Sequence, residues 1–108
     1  MTNDVFPSVA VVINVPPAAE ERVVDWLLER SPSGGFTTYT VHGHGSSPET
    51  LSVAEQVIGR QKRIEFRAEL PAHALDDFLA AFTAAFEGSG AYYFVFPVLR
   101  SGHLSTWR

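Results

Sequence analysis

Residues Arg63–Leu70 have the sequence RIEFRAEL, in which charged and apolar side chains alternate without a break. Successive side chains of a β-strand point to opposite faces of the sheet, so this alternation predicts a strand with one solvated and one buried face. Such a strand belongs to a sheet that is covered on one side only, and this restricts the possible folds. The segments on either side of it must then supply the cover and the remaining strands.

Two of those segments have the apolar spacing of helices. A helix opens at Pro71, and its apolar positions fall at helical spacing: Leu75, Phe78, Leu79, Phe82 and Phe86. An earlier helix follows the prolines at 16 and 17, which are tolerated in a first turn. Its apolar stripe consists of Val23, Val24, Leu27 and Leu28, with Trp26 at the margin. Each helix therefore has one face to bury.

Three further strands complete the pattern, at Val9–Val15, Phe36–His42 and Tyr92–Leu99. They are rich in β-branched and aromatic residues, which favour strands. The element order is then β-α-β-β-α-β, and it predicts a ferredoxin-like α+β fold with a four-stranded antiparallel sheet. In that fold strands one and three are central and both helices cover one face. Strand four is an edge, which accommodates Pro97.

The same strands predict an exposed apolar surface. Val9–Val15 and Tyr92–Leu99 are apolar on both faces, whereas two helices cover only one face of the sheet. The other face would expose tyrosine or phenylalanine side chains and valines, and a patch of that size on a small protein usually marks an interface. We therefore expect a homo-oligomer built through the open sheet face or the strand edges. The charges of Arg63–Leu70 would pair within or across subunits.

The composition is that of one domain. The chain has 108 residues, and 45% of them are hydrophobic. A domain of this size can bury a core that is stable without disulfides or bound metals. It has no cysteine, which excludes disulfides, thiolate metal sites and a cysteine nucleophile. Its net charge of −4 has the wrong sign for a general nucleic-acid binder. The apolar run Val9–Val15 is too short to cross a membrane and has no basic leader, so we expect a cytoplasmic protein without direct membrane insertion.

Histidine and glycine alternate in Val41–Gly45, which reads VHGHG. His42 and His44 are two residues apart, so in an extended chain their imidazoles point to one side, as in a two-histidine metal site. A third ligand could come from His103, from Glu49 or from a neighbouring subunit. The alternative is a glycine-flexible loop whose histidines are hydrated.

A basic cluster, GRQKR at 59–63, leads from that loop into the strand. Arg60, Lys62 and Arg63 could clamp a phosphate or carboxylate, because arginine matches such anions in shape and charge. The alternative is a solubilising start of the strand, whose cations pair with the strand's own glutamates. The glycine patterns of phosphate-binding and dinucleotide-binding loops do not occur in the sequence.

No catalytic motif supports an enzyme. The Gly-x-Ser-x-Gly pattern of a nucleophile elbow does not occur. A small dimeric α+β-barrel enzyme has the same element order, and it would need a polar group in a pocket between sheet and helices. Asn14 and Tyr39 are the candidates for that role.

Six segments together resemble a known family: Val15–Pro17, Asp25–Glu29, Gly35–Thr37, Val41–Gly45, Leu51–Arg60 and Pro97–Leu99. The family is a small bacterial one, the domain of unknown function three-two-four-zero, which is grouped with the PII-like proteins. The resemblance spans about residues 9–104. Its most specific parts are the Gly-His-Gly of the histidine motif and the run Ala-Glu-Gln-Val-Ile-Gly-Arg that ends at Arg60.

The resemblance implies a PII-like or CutA-like homotrimer, in which small ligands bind in clefts between subunits. These clefts lie at the base of the T-loop, the long loop between strands two and three. Residues 43–61 occupy that position here, while 1–7 form an N-terminal extension and 101–108 a C-terminal tail of one domain. Arg100 lies in a segment similar to the arginine-bearing C-terminal segment of PII proteins. The signature motifs of nucleotide-binding PII proteins cannot be traced, so the resemblance favours a divalent metal or a small anion over a nucleotide.

The resulting hypothesis is a non-enzymatic regulatory or sensor protein whose ligand sets the order of the loop for a protein partner to read. The candidate metal ligands are His42, His44 and His103, and the candidate anion-binding residues are Arg60, Lys62, Arg63 and Arg100. Some PII-like genes lie beside heavy-metal efflux systems, so the resemblance implies a membrane transporter or another protein as the partner. The alternatives are a CutA-like metal-tolerance protein and the dimeric barrel enzyme.

Overall fold

A computed structural model describes residues 6–30, 35–44, 53 and 60–104. Over these residues the chain forms an α+β structure with a four-stranded antiparallel sheet and two helices. The strands are β1 (Ser8–Val15), β2 (Phe36–His44), β3 (Arg60–Pro71) and β4 (Tyr92–Val98), and the helices are α1 (Glu20–Arg30) and α2 (Leu75–Phe86). A short 3-10 turn precedes each helix, at Pro17–Ala19 and at Ala72–Ala74.

The strand order across the sheet is β2-β3-β1-β4. The expected positions are therefore confirmed: strands one and three are central, and strand four is an edge. β1 pairs with β3 from Ser8 opposite Pro71 to Val15 opposite Ile64. Pro97 lies in β4, where one side of the strand has no neighbour in the described sheet and a missing N–H costs nothing.

The core lies between the sheet and the helices. Alternate residues of β1 and β3 enter it, and Val11 and Phe66 are 0% and 1% exposed. This confirms the alternation in Arg63–Leu70, because the apolar positions of that stretch are all buried: Ile64, Phe66, Ala68 and Leu70. The opposite face of the sheet bears the intervening residues and has no helix against it in the described part of the chain.

The stripe predicted for α1 is wrong at two positions. Trp26 is buried, and its ring makes edge contacts with Phe78, Phe82 and Phe86 of α2 at 5.4, 5.6 and 5.9 Å between centroids. Leu28 is 60% exposed. The reason is that α1 packs against α2 as well as against the sheet, which turns the buried arc of the helix toward Trp26 and away from Leu28.

β2 and β3 are both longer than predicted. Their pairing continues to His44 opposite Arg60, so the T-loop-like segment assigned to 43–61 begins and ends within paired strands. The outer ends carry polar side chains, and hydrophobic periodicity does not detect a strand that buries nothing. Residues 45–52 and 54–59 of that segment, Glu49 included, lie outside the described residues, as do 1–5 of the N-terminal extension and 105–108 of the tail.

No helix in the described part of the chain is both long enough and apolar enough to span a membrane.

Candidate functional site

The outer ends of β2 and β3 bring together residues that the sequence assigns to two different sites. His42 lies opposite Lys62, and His44 lies opposite Arg60. Alternation along both strands places all four side chains on one sheet face, and all four residues are exposed. We call His42, His44, Arg60 and Lys62 the cationic ladder.

The cationic ladder is small enough for one ligand to contact several of its side chains. Directly opposed side chains have Cβ atoms about 5 Å apart, and neighbours two residues apart on a strand are separated by about 7 Å. No aspartate or glutamate occupies this face in residues 38–44 or 60–66. Among these described residues, Arg60 and Lys62 are therefore the residues on this face that carry a formal charge, and both are cations.

Arg63, the third member of the predicted clamp, lies on the opposite face of β3 and is buried. Its Nε donates to Asn14 Oδ1 at 2.6 Å, and one terminal nitrogen donates to the Gly90 carbonyl at 2.8 Å. Its guanidinium also lies 5.5 Å from the centroid of the Tyr92 ring. These contacts join β3, β1 and the start of β4, so the structure does not bring Arg63 together with Arg60 and Lys62.

Asn14 and Tyr39, the candidates for an enzyme pocket, meet at Glu65 on the face away from the helices. Asn14 Nδ2 donates to Glu65 Oε2 at 3.0 Å, and the Tyr39 hydroxyl also hydrogen-bonds to Glu65. Burial raises the pKa of the Tyr39 phenol, and the Glu65 carboxylate raises it further. Tyr39 thus remains a neutral donor at neutral pH. Neither residue supplies a polar group between sheet and helices, which is where the enzyme hypothesis needs one.

His103 and Arg100 lie near the other end of the sheet. His103 lines a cavity of about 410 Å³ with Glu69 and Ser101, and Ser101 Oγ donates to Glu69 Oε2 at 3.0 Å. Along β3, Glu69 is about 30 Å from Arg60, at about 3.3 Å per residue. One chain therefore does not bring His103 to the two histidines of the cationic ladder. Among the described residues, no three histidine, aspartate or glutamate side chains come together as a metal site.

The cationic ladder was missed as a unit because its halves are separated in sequence. His42 and His44 belong to one motif and Arg60 and Lys62 to another, with residues 45–59 between them. Each histidine lies opposite a cation only because of the register in which β2 pairs with β3. In a hairpin with a short turn, the turn type sets the register and the sequence of the turn predicts it. A long connection gives no such prediction.

The model of the family described as "Protein of unknown function (DUF3240)" matches residues 6–105. The chain belongs to this family. The crystal structure of a DUF3240 family protein from Shewanella baltica OS155 is similar, with 19% identity and a TM-score of 0.74 over 92% of this chain and 98% of that chain.

A Bacillus cereus protein related to NIF3 is also similar in structure to this DUF3240 chain. The identity is 20% and the TM-score 0.58, over 95% of this chain but only 28% of that chain. Both structural similarities are low in identity and show the fold alone. No curated protein matches the chain.

The open sheet face of this DUF3240 protein bears a row of aromatic rings. Tyr92, Phe94 and Phe96 alternate with inward residues of β4 and are each about half exposed. Their rings follow one another at centroid distances of 5.7 and 6.3 Å. The expected exposure of tyrosine and phenylalanine is thus confirmed, whereas Val12, also on this face, is largely covered.

Proposed function

We propose that this DUF3240 protein is a non-enzymatic, PII-like regulatory protein that binds a small ligand at the base of the segment between β2 and β3. The observation that carries the proposal is the cationic ladder, whose members lie at the last residues of β2 and the first residues of β3. A ligand bound there would contact both ends of the intervening segment and shift the population of its conformations. A protein partner, with a membrane transporter as our first candidate, would read that shift.

We further propose that the subunit is ferredoxin-like and assembles as a homotrimer in the cytoplasm. The central position of β1 and β3 in an antiparallel sheet supports the fold. The half-exposed row of Tyr92, Phe94 and Phe96 supports self-association, because burial of these rings in an interface would remove a large apolar surface from water.

The test is the mass of the purified protein by light scattering, with thermal unfolding followed in the same samples. We expect a trimer of the 11.9 kDa chain, stabilised by at least one of Zn²⁺, Cu²⁺, ATP and inorganic phosphate. A ligand present at a hundred times its dissociation constant should add about 2.7 kcal/mol to the free energy of unfolding. A dimer would favour the barrel enzyme, and a monomer indifferent to all four ligands would contradict the proposal.

A CutA-like metal-binding protein is the second candidate. The observation that favours it is the placement of His42 and His44 on one strand face, two residues apart. Zn²⁺ or Cu²⁺ would then be the ligand with by far the highest affinity, and the double substitution His42→Ala and His44→Ala would abolish its binding. The mass measurement does not distinguish the two candidates, because both are expected to form trimers. A metal titration of the parent and of the double variant distinguishes them.

A further inference from the structure

We propose that the ligand of the cationic ladder is a multivalent oxyanion of the phosphate or sulfate type, and that His42 and His44 belong to this anion site. The inference rests on the proposed function and names the ligand class of the same site. It merges two sets of residues that the sequence separates, because the strand register places each histidine opposite a cation.

The cations of the cationic ladder lie close together. Arg60 and Lys62 carry positive charges on the same face as the two imidazoles, about 7 Å apart along β3, and like charges at that distance repel each other. An oxyanion among these side chains offsets this repulsion and accepts hydrogen bonds from guanidinium, ammonium and imidazole N–H groups.

The neighbours of the histidines count against a divalent metal. A metal held by His42 and His44 would lie within several ångströms of Lys62 and Arg60, and cations repel one another at that range. Metal sites hold their histidines with carboxylates or carbonyls in the surrounding shell. Here the residues of the described strands that face the imidazoles are cations, and an anion reverses the sign of each of these interactions.

The dimensions of the cationic ladder also suit a single oxyanion. The Cβ atoms of its four residues form a rectangle of about 5 Å by about 7 Å. Arginine and lysine are longer than histidine and flexible, so all four groups can converge on one oxyanion above the strands. The planar fork of Arg60 can bind two of its oxygens at once.

The experiment measures sulfate, pyrophosphate and Zn²⁺ binding by calorimetry at one fixed pH and ionic strength. We expect both anions to bind and Zn²⁺ to bind more weakly than either, because the cations opposite the imidazoles attract an anion and repel a metal ion. A metal site would give the opposite order of affinities.

Variants assign the binding to the cationic ladder. Arg60→Gln should raise the Kd for sulfate about tenfold, the loss expected for one charge-assisted hydrogen bond. His44→Ala should also raise the Kd for sulfate, because it removes one hydrogen-bond donor from the face that carries Arg60 and Lys62. Arg67→Gln is the matched control, since Arg67 is an exposed arginine of the same strand on the opposite face, and it should bind as the parent does. Thermal unfolding without ligand checks that each variant folds.

Three outcomes would overturn the inference. Zn²⁺ binding that is tighter than sulfate binding, is lost in His42→Gln and survives in Arg60→Gln would establish a metal site and leave the proposed regulatory function standing. Sulfate binding that Arg60→Gln and Arg67→Gln weaken equally would show a nonspecific charge effect. A trimer that binds none of the three probes would reject the ligand class while the assembly remains, whereas loss of the trimer itself would reject the proposed function.

Discussion

Arg63 changes its role most between sequence and structure. In the sequence it stands beside Arg60 and Lys62 and looks like part of one clamp. A strand turns alternate side chains to opposite faces, and odd position 63 therefore points away from even positions 60 and 62. Its guanidinium donates hydrogen bonds to Asn14 and to the Gly90 carbonyl. Hydrogen bonds from a charged donor are stronger than neutral ones, and these lie in a buried environment.

We expect Arg63→Gln to lower the free energy of unfolding by about 2 kcal/mol, because it leaves buried acceptors on Asn14 and Gly90 without their charged donor. Urea denaturation at a fixed protein concentration measures the change. The exposed Arg67→Gln should stay within about 0.5 kcal/mol of the parent. Sulfate binding of the folded variant should be unchanged, and equal unfolding energies for the two variants would contradict a structural role for Arg63.

At the scale of elements, the contact between α1 and α2 depends on one side chain. Trp26 lies among three phenylalanine rings of α2, and Arg30 covers its outer side, with the guanidinium carbon 3.9 Å from the ring centroid. Edge contacts of this kind add to the energy of burial. The apolar stripe of α1 predicts which side of the helix is buried. It does not predict that α2 packs against that helix, so it does not identify Trp26 as the centre of the contact between the two helices.

We expect Trp26→Ala to lower the free energy of unfolding by about 3–5 kcal/mol, since it removes a large buried ring and leaves a cavity between the helices. Leu28→Ala on the same helix is the matched control and should cost less than about 1 kcal/mol, because Leu28 is mostly exposed. Chemical denaturation of both variants measures this. Equal costs would mean that the helix is rotated relative to this structure.

At the scale of the whole molecule, the sheet has two unequal faces. Both helices cover one face along β1 and the apolar residues of β3, and the other face combines the aromatic row of β4 with the polar groups of β3. On that open face Glu65 binds Asn14 and Glu69 accepts from Ser101, so part of the charge of β3 is satisfied within one chain. The apolar part is what an assembly would bury.

We expect Phe94→Glu to dissociate the oligomer, because it places a charge in the middle of the aromatic row. Light scattering over a range of protein concentrations measures the mass. Leu28→Glu is the control, since it introduces the same charge at an exposed apolar residue of α1, and it should leave the mass unchanged. An intact oligomer in Phe94→Glu would place the interface elsewhere, for example at the strand edges.

Local sequence patterns were enough to predict the helices and strands, the buried face of β3 and the family. Alternation in Arg63–Leu70 and the spacing of the α2 phenylalanines are local patterns, and local geometry alone converts them into a strand and a helix. The central place of β1 and β3 followed from the order of those elements. These properties need no knowledge of which residues meet across the fold.

The grouping of the polar and charged side chains depends on contacts between segments that are distant in sequence. The register of β2 against β3 sets His42 beside Lys62, separates Arg63 from Arg60 and joins Asn14 with Tyr39 through Glu65. A shift of one residue would turn every side chain of a strand to the other face, and segment 45–59 is too long for turn chemistry to specify that register. Of β2, Phe36 packs against the core, opposite Ala68 and with its ring centroid 6.2 Å from that of Phe66. That contact joins residues distant in sequence, and no local pattern predicts it.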